Sequence, residues 1–197
     1  MRKNHTDINL IVDRSGSMSD IHDDVIGGLN TFLDEQKKLP GTVTLNAYEF
    51  DDKYDVVVEN QDLSLFGSFT KKNFVPRGGT NLYDAIGRTI AARGNYFANQ
   101  KEEDRPDKVI LVVFTDGLHN VSGDYSKKQV FEMVRHQEEK YSWEVIFLGA
   151  DMDAMAEGGK AGIASGKTMA FSKNNFELAA KSASAYAANY RGGKAGW

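Results

Sequence analysis

Asp13, Ser15 and Ser17 lie at alternate positions where the apolar run Ile8-Asn9-Leu10-Ile11-Val12 ends. The run is too short for a core helix and rich in branched residues, so it reads as a buried strand. A strand ending in Asp-x-Ser-x-Ser brings one carboxylate and two hydroxyls into one small volume. These are hard oxygen donors, the kind Mg²⁺ prefers, and none is a soft ligand that would select Zn²⁺ or Cu⁺. Two distant segments add oxygens of the same type. Gly78-Gly79-Thr80 opens a helical stretch, and Val109-Ile110-Leu111-Val112-Val113-Phe114-Thr115-Asp116-Gly117 is a second buried-strand run that closes in aspartate. Mg²⁺ demands near-octahedral oxygens and keeps several waters, so two carboxylates and three hydroxyls suit it.

Each segment alone has a plainer explanation. Ser15 or Thr80 would cap a following helix, and Asp116-Gly117 would make a turn. Taken together and in this order, Asp13, Ser15, Ser17, Thr80 and Asp116 resemble the metal-ion-dependent adhesion site of the von Willebrand factor A domain family. The resemblance spans roughly residues 5–190. It implies a Rossmann-like fold and a Mg²⁺-type ion, with Mn²⁺ or Ca²⁺ as substitutes. It also implies that Ser15 and Ser17 bind the ion directly, while Asp13, Thr80 and Asp116 bind directly or through water. One coordination position is then left for an Asp or Glu carboxylate of a protein partner, which makes the chain a non-catalytic binding module.

Two other functions compete. Aspartyl-phosphate phosphatases also begin with an apolar strand ending in aspartate, but they need a second carboxylate two residues on, where this chain has Ser15. No His, Lys or Glu is placed near Asp13 in the sequence as a general base. The third reading is a structural subunit whose metal only stabilises its loops.

The elements that must position these residues alternate between strand and helix. Residues 7–13 read as a strand and 19–38 as a helix, with Ile21, Val25, Leu29, Phe32 and Leu33 spaced by three and four before Pro40-Gly41. Thr42 to Phe50 and Tyr54 to Val58 read as a hairpin, and 60–79 as irregular with a short strand or turn near Phe66 and Phe69. A helix over 81–97, a charged loop over 99–107, a strand over 108–115 and a helix over 126–140 follow. The remainder reads as strand 144–148, helix 152–161, strand 168–171, helix 174–190 and a frayed tail over 191–197. The expected fold class is α/β: a doubly wound, mostly parallel sheet of about six strands, one antiparallel edge strand, and helices on both faces. Ligands of such sheets gather outside the carboxyl ends of the strands, where the strand order reverses.

The 197 residues fit one such domain, and 41% hydrophobic content is enough for its core. A net charge of −4 without a long basic cluster makes nucleic acid a poor partner. The absence of cysteine excludes disulfides, thiolate metal sites and cysteine nucleophiles. No segment reaches membrane-spanning length, and the amino terminus enters the first strand without a secretory signal, so a cytoplasmic location is expected.

Other features carry less. Gly162 to Thr168 resembles a phosphate-binding loop, but Ala161 stands where the first glycine belongs and a strand follows instead of preceding it. His5, His22, His119 and His136 show no paired metal spacing, and His119 reads as a solvated loop residue. Ala179, Ala180, Ala183, Tyr186, Ala187 and Tyr190 form a stripe expected to pack on the sheet. Asp20, Asp51, Asp52, Asp151 and Asp153 fall at helix starts and strand ends, where they would either make the rim of the site acidic or serve simply as helix-start and turn residues. Such a rim would favour a partner that pairs its carboxylate with nearby Lys or Arg.

Overall fold

A computed structural model describes residues 1–116, 119–150, 152–171 and 175–193. Strands β1 (Arg2–Asp13), β2 (Thr42–Phe50), β3 (Tyr54–Asp62), β4 (Pro106–Thr115), β5 (Glu144–Gly149) and β6 (Thr168–Ala170) form one sheet in the order β3-β2-β1-β4-β5-β6. Every neighbouring pair is parallel except β2 and β3. The chain runs outward from β1 in one direction through β2 and in the other through β4, so the order reverses between the two central strands. Their register sets Val12 beside Phe114, which brings the end of β1 level with the end of β4.

The apolar runs of β1 and β4 have both faces covered, which explains why they lack alternation. Ile8, Leu10 and Val12 face a layer formed by α1 (His22–Lys37) and α5 (Phe176–Arg191). Ile11 faces the opposite layer, with α2 (Leu82–Ala98) and α3 (Lys127–Tyr141). The helix α4 (Met152–Lys160) follows β5. The small residues of α5 pack against α1 as well as the sheet. A Cβ on Gly28 would stand 2.3 Å from the Phe176 ring, so the approach of the two helices requires glycine there. No helix among the described residues is long and apolar enough to cross a membrane.

The structure moves several expected boundaries. β1 begins at Arg2 instead of residue 7, because its first residues reach the start of β4 across a register shift, where the Asp107 carboxylate accepts from the Asn4 and His5 amides. The first helical segment opens as a 3-10 turn over Gly16–Ile21 before α1. β3 continues past Val58 to Asp62, since an edge strand needs no apolar residues on its exposed side. No strand forms near Phe66 or Phe69; the chain makes a 3-10 turn at Leu63–Leu65 and then irregular loop up to α2. Residues 194–197 of the expected tail lie outside the described residues.

Candidate functional site

β1 delivers Asp13 to the sheet's carboxyl end fully buried. Its Oδ1 accepts a hydrogen bond from the Ser15 amide at 2.7 Å, and its Oδ2 accepts one from the Thr115 hydroxyl of β4 at 2.5 Å. Burial pushes the Asp13 carboxyl up to about 7, against the opposing pull of the Thr115 and Ser15 hydrogen bonds. The chain then turns sharply. Ser15 precedes the 3-10 turn but makes no side-chain capping bond. Its hydroxyl instead lies 3.1 Å from the Ser17 hydroxyl, and Ser17 donates to Asp116 Oδ1 at 2.8 Å. Ser15, Ser17 and Asp116, ninety-nine residues apart at the extremes of the last contact, therefore present their oxygens to one another.

Thr80 arrives on the irregular segment before α2. It does not cap that helix: Asn81 takes the cap position, without a side-chain capping bond. The Thr80 amide donates to Asn120 Oδ1 at 2.8 Å, and its carbonyl accepts from the Asn120 amide at 3.1 Å. Two residues earlier, the Gly78 carbonyl accepts from the Gly16 amide at 3.1 Å. Thr80 is thus held between the loop after β1 and the loop after β4, and it is buried. Gly117 lies outside the described residues.

One of the expected rim aspartates is turned inward. Asp51 is buried and not part of an open rim: its Oδ2 accepts from Arg14 Nε at 2.9 Å and from Arg77 Nε at 2.7 Å. Burial alone would push the Asp51 carboxyl up, but hydrogen bonds from Arg77 and the Lys53 amide and the charge of Arg14 leave it below its usual range. Arg14 also pairs with Glu49 at 3.0 Å and with Asp55. Asp52 is exposed and stays on the rim, with its Oδ1 accepting from the Gly79 amide at 2.9 Å. Asp151 lies outside the described residues, as does the side chain of Asp153.

His119 is also not a solvated loop histidine. Its ring packs 4.3 Å from that of Tyr83, whose hydroxyl donates to Glu157 at 2.5 Å, and burial lowers the tendency of His119 to protonate. The loop-like Gly162–Thr168 run precedes β6, and Lys167 is paired with Glu138 and Glu144 at 2.8 Å each, which leaves it no role toward phosphate. A cavity of about 550 Å³, lined by Phe97, Trp143 and Arg105, opens at the other end of the sheet.

Sequence reasoning missed Thr115, Asn120, Arg14 and Arg77. Thr115 was signalled by its place beside Asp116 at a strand end. The others act through contacts with residues far away in the chain, which local spacing does not encode. Among the described residues, no group of three or more His, Asp or Glu is placed to hold a metal ion. The candidate site is of another composition: two carboxylates, with hydroxyls as the remaining donors, all hard oxygens of the type that suits Mg²⁺ or Mn²⁺.

No protein-family model matches the sequence, and no curated protein does. Solved structures do. Proximal thread matrix protein 1 of the mussel byssus superposes with a TM-score of 0.66 at 15% identity, over 94% of this chain and 47% of that one. The vWF domain of the type V pili tip protein Mfa5 from Porphyromonas gingivalis gives 0.65 at 10% identity, over 94% and 95%. The manganese-loaded TRAP protein of Plasmodium vivax gives 0.58 at 16% identity, over 91% and 73%. This chain spans about half the length of the mussel protein and nearly all of the pilus-tip domain. The six-stranded, mostly parallel sheet with its flanking helices is the fold of a von Willebrand factor A domain.

Proposed function

We propose that this chain is a divalent-metal-dependent protein-binding module without catalytic activity. Ser15, Ser17, Asp13, Thr80 and Asp116 would hold a Mg²⁺-type ion, directly or through water. The ion would supply an electrophilic position for an Asp or Glu carboxylate of a protein partner. The observation that carries this reading is the meeting of Ser15, Ser17 and Asp116 oxygens at the reversal between β1 and β4. Doubly wound sheets bind their ligands at such a reversal. A neighbouring fold loaded with manganese supports the choice of ion. The phosphatase alternative would need Asp13 as a nucleophile. Its two oxygens are buried and hydrogen-bonded to Ser15 and Thr115, which leaves them poorly placed to attack a substrate.

Asp116→Ala tests the metal half of this reading. It removes one of two carboxylates, so calorimetric titration should find Mn²⁺ affinity reduced at least tenfold while circular dichroism stays native. An unchanged affinity would remove Asp116 from the site. A protein partner captured in Mg²⁺ should be released by chelator and by a small carboxylate at high concentration. A partner that stays bound under chelation would show that the metal face is not the interface.

A further inference from the structure

Thr80 is the candidate ligand least tied to the strands, and its segment has no regular structure to hold it. Residues from all three strand-end loops hold it instead. Besides the bonds to Gly16 and Asn120, the Arg77 amide donates to the Arg14 carbonyl at 2.7 Å, and the Asn81 amide donates to the Asp51 carbonyl at 3.1 Å. Gly78 sits at φ +67, and a Cβ there would stand 2.6 Å from Asp52 Oδ2, so the segment lies directly against the β2 loop.

The side chains repeat the same join. Arg14 stands between Asp13 and Ser15, and Arg77 stands three residues before Thr80. Both guanidinium groups converge on one buried carboxylate, Asp51 Oδ2, and both reach Asp55. Glu49 completes the cluster from the end of β2. Arg14 and Asp51 are buried, whereas the Arg77 side chain is 53% exposed. Ionic contacts in water contribute little, but Asp51 is shielded and its donors are charged, which makes these the stronger kind of hydrogen bond.

From this geometry we infer that Arg77, through Asp51 and Arg14, is a positioning residue that fixes the Thr80 segment against the serine-bearing turn. This deepens the metal-site reading and rests on it only where metal affinity is concerned. Arg77 touches no candidate ligand side chain. It sets where Thr80 stands before an ion arrives, so that less ordering remains to be done on binding.

The test compares wild type, Arg77→Ala and Arg77→Lys by amide hydrogen exchange across residues 77–81 without metal, and by Mn²⁺ titration. Arg135→Ala, which removes an exposed ion pair on α3, is the control. Arg77→Ala should speed exchange of that segment alone and weaken Mn²⁺ binding about tenfold, with the melting temperature little changed because the side chain is half exposed. Arg77→Lys keeps the charge but loses the fork that spans Asp51 and Asp55, so it should fall between the two. The control should match wild type in both. If exchange over 77–81 is the same in Arg77→Ala and wild type, the positioning role is overturned. It is equally overturned if wild type binds Mn²⁺ and Arg77→Ala binds it as tightly. Should wild type take up no Mn²⁺, the metal reading fails, and exchange alone decides the role of Arg77.

Discussion

β1 carries two buried aspartates, six residues apart, whose surroundings differ in one respect. Asp7 is 2% exposed and Asp13 is 0% exposed. Asp7 Oδ2 accepts from the Arg93 guanidinium at 2.7 Å, and its Oδ1 accepts from Asn9 at 2.8 Å and Asn46 at 3.1 Å. Burial raises the Asp7 carboxyl and the Arg93 charge works against it. Asp13 accepts from Ser15 and from the Thr115 hydroxyl, and no cationic side chain is among these donors. Its neighbour Asp116 adds a like charge. A buried carboxylate needs a counter-charge. Asp7 has its cation built into the fold, whereas Asp13, on the proposed metal-site reading, would receive one from solution. On that reading the difference separates a carboxylate that holds the domain together from one that would serve a site.

The largest expected effect comes from breaking the completed pair. Arg93→Met leaves Asp7 buried without its cation, which should cost about 3–5 kcal/mol in urea denaturation. A loss below about 1 kcal/mol would mean that Asp7 is compensated in some other way, and the comparison would weaken.

A smaller effect is expected at Asp13, and it depends on pH. With its folded value raised to about 7 from 3.8, the metal-free protein holds a proton that the unfolded chain has lost. The stability this gives is full below about pH 4 and is lost as pH rises to about 7, an upper bound of about 4 kcal/mol. Asp13→Asn should abolish that part of the slope. Asp7 and Glu49 also have raised values, so the readout is the difference between the two proteins' stability curves from pH 4 to 8. Parallel curves would show that Asp13 ionises freely in the fold.

Much of the architecture was legible because it depends on local pattern. β2 runs from Thr42 to Phe50 as its β-rich composition implies, closed by the turn at Asp51-Asp52-Lys53. Ser126 and Gln129 form a capping box that starts α3 beside the expected position. Of the candidate site, the placement of Asp13, Ser15, Ser17 and Asp116 at strand ends was legible, because each follows an apolar run that fixes where its strand ends. The ion-paired cluster could not. Arg14 lies in the same pentapeptide, yet its partners are 35 to 41 residues away, and only the side-by-side pairing of β1 and β2 brings them together. Asp51 read as an acidic rim residue because sequence does not show which carboxylates a distant arginine will bury. Arg93, in α2, is 1% exposed and donates to Asp7, a burial that helical apolar spacing does not signal. Asn60 sits at φ +54 in β3 beside a register shift, a backbone irregularity that apolar periodicity does not register.

Mn²⁺ affinity measured by calorimetry from pH 5.5 to 8.5, in wild type and in Asp13→Asn, tests most directly whether Asp13 is the carboxylate that awaits a cation. Below about pH 7 the ion must displace the Asp13 proton, so wild-type affinity should rise with pH and level off above that value, with proton release on the rising limb. Asp13→Asn should bind at least tenfold more weakly and without that rise. Equal affinities in the two proteins, or no uptake by wild type at any pH, would contradict it.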